Sequence, residues 1–292
     1  MLRPAYLLGV LVLLAAGAGV ALQGDPKPAP VAVAAPVSIS TSPAPRSTGT
    51  VASDWVDNES TLTDNALYRA GKVPASRCRP PTARLASSTA VAGYGRALVA
   101  CLNRSWSALL TRAGFYFLPP DFTVYKGRTS SACGDSDGDA VAFYCSTDHK
   151  IYLDWSEYVS KRRDEQIWIQ GALMGVVSHE YGHHVQELVG IGAFYDDRAE
   201  NAAGEAQLET SRRMELQASC FGAAFLGGSR QALGLTGERL FALQDDLSTG
   251  DEIGGLRDHG SGDSNERWTS AAFASASPGS CNTWKAADDQ VY

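Results

Sequence analysis

The sequence predicts an α+β fold that is mainly helical, with a small antiparallel sheet, behind an N-terminal transmembrane helix. Three observations lead to this prediction. Residues 4–22 form an apolar run, two later segments carry apolar residues at helical spacing, and three short runs between those segments have strand character. The chain has 292 residues and 44% of them are hydrophobic, which is enough to build a buried core.

The first element is the run at residues 4–22, which contains no charged residue. As a helix it would span about the thickness of a bilayer core. Arg3 precedes it, so the positive-inside rule places this end in the cytoplasm and exports all that follows. Residues 19–21 could serve as a signal cleavage site, but the run is longer than a usual signal core. We favour an uncleaved single-pass membrane anchor, and we expect a secreted domain if the segment is cleaved.

Residues 23–52 are rich in Pro, Ala, Ser and Thr, and we predict a disordered linker because such a segment cannot pack a core. From residue 53 to residue 292 the composition is globular and shows no repeat, which predicts one extracytoplasmic domain. The net charge of −7 and the lack of a basic stripe argue against nucleic acid as a partner.

The six cysteines are an even number in a chain predicted to be exported, and this indicates up to three disulfides. None has the C-x-x-C spacing of a cysteine zinc site. Short separation along the chain favours a pair between Cys133 and Cys145. For Cys220 we favour a disulfide over metal binding, with Cys281 as the preferred partner.

Apolar spacing predicts a helix over about residues 83–113, which ends before Gly114. Strand-like runs follow at residues 122–125, 140–144 and 150–153. We expect them to form the antiparallel sheet, whose edge strand can pair with an extended substrate. The acidic run at residues 135–139 is interpreted as a turn, because it lacks the length and the terminal glutamate of a calcium loop.

The segment at residues 166–188 is apolar or small almost all round, which is typical of a buried helix. It carries His179 and His183 four residues apart, on one helical face, where two neutral imidazoles can bind a single Zn²⁺. Glu180 between them can hold and deprotonate a metal-bound water. The small residues of the segment share one arc, which predicts close approach of another backbone or of a substrate; they are Gly171, Gly175, Ser178 and Gly182.

A catalytic zinc needs a third protein ligand and an open position for water. The helix candidate at residues 214–221 offers Glu215, a carboxylate on a largely apolar helix whose burial a metal would explain. Glu205 and Glu209 compete for this role, but we expect them to be solvated because their surroundings are polar.

The remaining histidines and the aromatic residues have simpler interpretations. His184 points away from His183, so we expect it to support the site indirectly or to lie at the surface. His149 is expected to be solvated in a polar turn. Trp168 and Tyr181 are interpreted as core aromatics.

Four ordered blocks stand out in the sequence. They are HEYGHHVQ at residues 179–186, ELQASCF at 215–221, FYC at 143–145 with IYLD at 151–154, and HG at 259–260 with ERW at 266–268. Together these blocks resemble the bacterial family of neutral zinc metallopeptidases. The resemblance covers about residues 78–284. It implies a zincin-type domain in which His179, His183 and Glu215 bind Zn²⁺ and Glu180 is the general base.

The expected reaction is hydrolysis of a peptide bond in a protein or peptide substrate. A donor must stabilise the oxyanion that forms, and the candidates are His259, Tyr181 and Arg267, of which we rank His259 first.

One residue departs from the family pattern, which usually has Asp where this chain has Ser219. A serine hydroxyl can accept a hydrogen bond from a zinc-bound histidine but carries no charge, so the basicity of that ligand should fall. The alternative function is therefore a catalytically weak or inactive zinc-binding envelope protein, acting as a binding or structural module. A third option is a hydrolase of amide bonds in the cell wall.

Overall fold

The structure is a computed structural model that describes residues 58–79, 84–136, 138, 140–251 and 257–292. The predicted anchor at residues 4–22 and the predicted linker at residues 23–52 lie outside these residues. In the part of the chain that is described, no helix combines the length and the apolar character needed to cross a membrane.

The described residues confirm an α+β fold that is mainly helical. The helices are α1 (Asn58–Thr63), α2 (Ser88–Arg112), α3 (Gln166–Leu188), α4 (Ile191–Asn201), α5 (Glu205–Gly228), α6 (Gly237–Leu247) and α7 (Gly262–Ser275). The strands are β1 (Asp121–Tyr125), β2 (Thr129–Ser131), β3 (Gly134–Ser136), β4 (Ala142–Cys145) and β5 (Lys150–Asp154).

Helix α3 has the bounds that the sequence predicts, whereas α2 begins later than expected. The side chain of Ser87 accepts a hydrogen bond from the backbone N–H of Ala90 and caps the first turn of α2. The cap therefore fixes the start of the helix at Ser88, a position that apolar spacing alone cannot locate.

The prediction of an antiparallel sheet is wrong in one pairing. The sheet has the order β1-β5-β4, with β4 antiparallel to β5 but β1 parallel to β5. The chain between β1 and β5 is long enough for a parallel crossover, and strand periodicity is the same for both directions. Strands β2 and β3 form a separate antiparallel pair. Asp135 lies in β3 rather than in a turn, and residues 137 and 139 of the acidic run lie outside the described residues.

Helix α3 packs against α5 and α6 through its small residues, as the sequence predicts. A Cβ at Gly182 would collide with the carbonyl of Ala218 on α5, and a Cβ at Gly222 on α5 would lie 2.8 Å from the Ser178 carbonyl. Backbone therefore meets backbone where α3 and α5 cross. This close crossing brings His179 and His183 to Glu215, because each histidine lies within one turn of a contact point.

Three disulfides tie the fold together, and they include both predicted pairs. They are Cys78–Cys101, Cys133–Cys145 and Cys220–Cys281. Tyr181 is a core aromatic as predicted, whereas the prediction for Trp168 is wrong. Its side chain is 39% exposed and packs edge-on against the exposed Phe241, because it lies on the outer side of the first turn of α3.

Candidate metal centre

Helices α3 and α5 place three metal-binding side chains together. The Nε2 atoms of His179 and His183 are 3.1 Å apart, and Glu215 Oε2 lies 3.1 Å from the first and 3.2 Å from the second. The three predicted ligands therefore form one compact group that could hold a metal ion. The competing carboxylates lie elsewhere, since Glu205 pairs with Arg212 and Glu209 with Arg213.

The donor atoms fit a zinc ion. Two imidazoles and one carboxylate are a donor set that catalytic zinc uses, and tetrahedral zinc with bonds of about 2.0–2.1 Å holds neighbouring ligand atoms about 3.3 Å apart. Each imidazole is oriented through its other nitrogen. His179 Nδ1 lies 2.8 Å from Ser219 Oγ, and His183 Nδ1 lies 2.9 Å from Gln186 Oε1.

The ionisable side chains of this group shift one another's pKa values. Burial opposes ionisation of Glu215, but His183 and His259 outweigh it and hold the pKa of Glu215 well below its usual range. Burial also lowers the pKa of His179, whereas Glu215 overcomes burial at His183 and raises the pKa of that ring to about 9. Glu215 thus favours one proton on the two ligand rings, and that proton is on His183 rather than on His179. A bound cation would take the place of that proton.

Glu180 is fully buried beside the group. Within the described residues, neither carboxylate oxygen has a hydrogen bond of ordinary geometry, although the Tyr144 N–H lies near enough to favour the charged form. Burial, together with repulsion from Glu215, raises the pKa of Glu180 to about 7. A carboxylate with a pKa near neutrality can both take and return a proton at physiological pH.

His259, the first-ranked candidate for the oxyanion donor, also lies beside this group. Its Nε2 lies 3.8 Å from Glu215 Oε2 and has no hydrogen-bond partner among the described residues. Its Nδ1 lies 2.7 Å from Asp258 Oδ1, and Asp251 Oδ2 accepts hydrogen bonds from the backbone N–H groups of His259 and Gly260 at 2.5 and 2.9 Å. Burial opposes protonation, but Glu215, Asp258 and Asp251 raise the pKa of His259 to about 9.

Asp251 and Asp258 are site residues that no sequence pattern considered above predicts, although the adjacent Asp-His pair at 258–259 is a signal for Asp258. The other two candidates for the oxyanion donor are not at the site. Tyr181 donates its hydroxyl hydrogen to Asn103 Oδ1 at 2.7 Å, and Arg267 is exposed on α7.

His184 is fully buried and joins α3 to the sheet, so a surface position for it is wrong. Its Nε2 lies 2.7 Å from the Leu118 carbonyl, which only accepts, so its Nδ1 accepts from the Tyr144 hydroxyl at 2.9 Å. That hydroxyl also lies 3.2 Å from Nδ1 of His149, which is partly buried rather than solvated. The three side chains hold β4 against the metal-binding helix.

The sequence can be compared with known proteins. The pattern that defines the family described as "Putative neutral zinc metallopeptidase" matches residues 71–284. The chain belongs to this family. The family assignment implies zinc as the metal that the His179, His183 and Glu215 group would hold.

Relatives of the chain occur in Escherichia coli and in Mycobacterium bovis. YpfJ of Escherichia coli K12, an uncharacterized protein, is 30% identical over 207 residues, which cover 66% of this chain and 71% of YpfJ. Mb2605 of Mycobacterium bovis, also uncharacterized, is 26% identical over 193 residues, which cover 58% of this chain and 64% of Mb2605. No solved structure matches the chain.

Proposed function

We propose that this protein is a membrane-tethered zinc metallopeptidase that hydrolyses peptide bonds outside the cytoplasm. The observation that carries the proposal is the group of three ligand atoms, 3.1 to 3.2 Å apart, with the buried carboxylate of Glu180 beside it. His179, His183 and Glu215 hold the zinc ion. When bound, zinc supplies a Lewis acid that activates water and polarises the scissile carbonyl.

Glu180 moves the proton in this reaction. Its carboxylate takes a proton from the attacking water and returns it to the leaving amine. The pKa of about 7, which burial produces, suits both steps because the group can be charged before the attack and neutral after it. Among the described residues no hydrogen bond of ordinary geometry competes for the carboxylate, so its oxygens are available to a water at the metal-binding group.

His259 stabilises the oxyanion. Its Nε2 has no partner among the described residues and faces the metal-binding group, while Asp258 holds its Nδ1 and Asp251 holds its backbone. The raised pKa keeps a proton on this ring at neutral pH, so Nε2–H can donate to the developing negative charge.

The substrate is an extended peptide that lies along the outer edge of β4. The Asp154 N–H donates to the Val141 carbonyl at 2.8 Å, and strand alternation then directs the peptide group of Tyr144 away from β5 and towards Glu180. Tyr144 is also the residue of β4 that is not buried.

The cellular location follows from two features. The apolar run at residues 4–22 would tether the chain, and three disulfides are typical of an oxidising compartment outside the cytoplasm. Labelling of intact cells with a reagent that does not cross membranes tests this location. Protection of the domain in intact cells would contradict it.

The test of function uses the full-length protein in detergent, with casein as an unfolded protein substrate. We expect one zinc ion per chain, cleavage that a chelator stops, and a loss of about 10²- to 10⁴-fold in Glu180→Gln at unchanged zinc content. The matched control is Glu238→Gln, which changes an exposed glutamate on α6 and should cleave at the wild-type rate. Equal cleavage by wild type and Glu180→Gln would overturn the role of Glu180.

A second candidate function is a zinc-binding envelope module without strong catalysis. It is favoured by Ser219, which offers His179 an uncharged partner at 2.8 Å. Zinc binding by the wild type without cleavage of casein would support this module. If the protein instead cleaved peptidoglycan amides but not casein, the substrate would be the cell wall.

A further inference from the structure

Two glutamine side chains, Gln186 on α3 and Gln217 on α5, are fully buried behind the candidate metal centre. Burial of an amide costs free energy unless its donors and its acceptor find partners. Both amides are fully hydrogen-bonded here, and the partners leave only one orientation for each. The two side chains connect His183 to the C-terminal part of the fold.

The partners of the amide nitrogen set the orientation of the Gln217 side chain. Its Nε2 donates to the Cys281 carbonyl at 2.9 Å and to the Tyr68 hydroxyl at 2.8 Å. A carbonyl can only accept, so the amide nitrogen of Gln217 must lie on that side. The Cys220–Cys281 disulfide joins this carbonyl to the helix that carries Gln217. The Oε1 of Gln217 therefore faces Gln186.

Gln186 takes its orientation from Gln217 and from α5. Its Nε2 donates to Gln217 Oε1 at 3.1 Å and to the Met214 carbonyl at 2.8 Å. Its Oε1 then faces His183 Nδ1 at 2.9 Å. Because an amide oxygen only accepts, the proton of the neutral His183 ring must be on Nδ1. In this neutral form, which is the one that binds a metal, Nε2 carries a lone pair on the side of Glu215 and His179.

We propose that Gln186, oriented by Gln217, is a positioning residue that fixes the metal-binding tautomer of His183. The inference rests on the proposed zinc centre. The two ligand rings then differ in whether their tautomer is fixed. The hydroxyl of Ser219 can either donate or accept, so it leaves the His179 tautomer open, whereas the amide pair permits only one tautomer at His183.

The test measures zinc affinity of the full-length protein in detergent by competition with a chelator. Gln186→Met removes the acceptor at similar length, and we expect zinc binding about 10- to 100-fold weaker. Gln186→Glu keeps an acceptor for Nδ1–H but weakens the donation to the Met214 carbonyl and Gln217 Oε1, so it should bind zinc more tightly than Gln186→Met. The matched control is Gln244→Met, which changes an exposed glutamine on α6 and should leave the affinity unchanged.

A second readout separates positioning from general stability. In the zinc-loaded protein with ¹⁵N-labelled histidine rings, the Nδ1–H of His183 should be protected from exchange with water, and Gln186→Met should lose this protection. Wild-type affinity and retained protection in Gln186→Met would overturn the inference while leaving the zinc centre intact. If Gln186→Met does not fold, Gln186→Glu decides, because loss of protection of the His183 Nδ1–H in that variant would contradict the role of the acceptor. Failure of the wild type to bind zinc would instead refute the proposed function.

Discussion

The contact between Gly182 and Ala218 makes a quantitative prediction about the crossing of α3 and α5. In Gly182→Ala the new Cβ would overlap the Ala218 carbonyl oxygen and lie 2.8 Å from two further backbone atoms of that residue. Backbone cannot move aside as a flexible side chain can, so the helices must separate. Such overpacking costs about 1–3 kcal/mol.

The same substitution also gains free energy, because alanine favours a helix over glycine by about 1 kcal/mol. A matched control isolates the two effects. Gly93 lies inside α2, and a Cβ added there would have no neighbouring atom within 4 Å, so Gly93→Ala gains the helix preference alone. The free energy of unfolding of Gly182→Ala should therefore be about 1–3 kcal/mol lower than that of Gly93→Ala.

The assay is urea unfolding of both variants and the wild type, followed by circular dichroism. Zinc affinity provides an independent readout, because separation of the helices moves His183 away from Glu215; it should fall in Gly182→Ala and stay unchanged in Gly93→Ala. If the two variants gained equal stability and bound zinc equally well, the close crossing of α3 and α5 would be refuted.

Three further predictions concern the same region. Glu215 raises the pKa of His183 to about 9 against the effect of burial, so the protonated ring stabilises the zinc-free protein. This stabilisation is fully present below about pH 6.5. This stability should be lost as the pH rises through 9. Urea unfolding at several pH values should show a larger loss in wild type than in Glu215→Gln, where Asp258 and Asp251 still raise the pKa of His259. Ser219→Asp places a charged acceptor at His179 and should tighten zinc binding about tenfold in chelator competition, while Ser219→Ala should weaken it. Tyr144→Phe removes the hydroxyl between two imidazoles and should lower the free energy of unfolding by about 1–3 kcal/mol in urea, with zinc content unchanged.

Most features of the metal-binding helix α3 can be predicted from the sequence alone. Helical periodicity gives the bounds of α3, and the four-residue spacing of His179 and His183 places both rings on one face. The small residues of α3 also predict that a neighbour comes close, because a glycine inside a buried helix needs such a reason. Glu215 could be chosen by chemistry, since a carboxylate on an apolar helix needs a partner.

The parts that the sequence does not reveal depend on contacts between distant segments. No local periodicity distinguishes Asp251 or Gln217 from other polar residues. Asp251 binds backbone N–H groups and Gln217 binds the amide of Gln186, and only folding brings these partners together. The parallel pairing of β1 with β5 is hidden for a similar reason, because side-chain alternation is the same in both directions.

The crossing of α3 and α5 has a consequence for the choice of metal ion. Since backbone rests on backbone at Gly182 and Gly222, α3 and α5 cannot slide past each other without a collision, and His179, His183 and Glu215 stay together at the crossing. A calcium ion prefers about six to eight oxygen ligands, whereas two of the three donors here are imidazole nitrogens. The crossing thus keeps together a donor set that disfavours calcium, through two positions that are not ligands themselves.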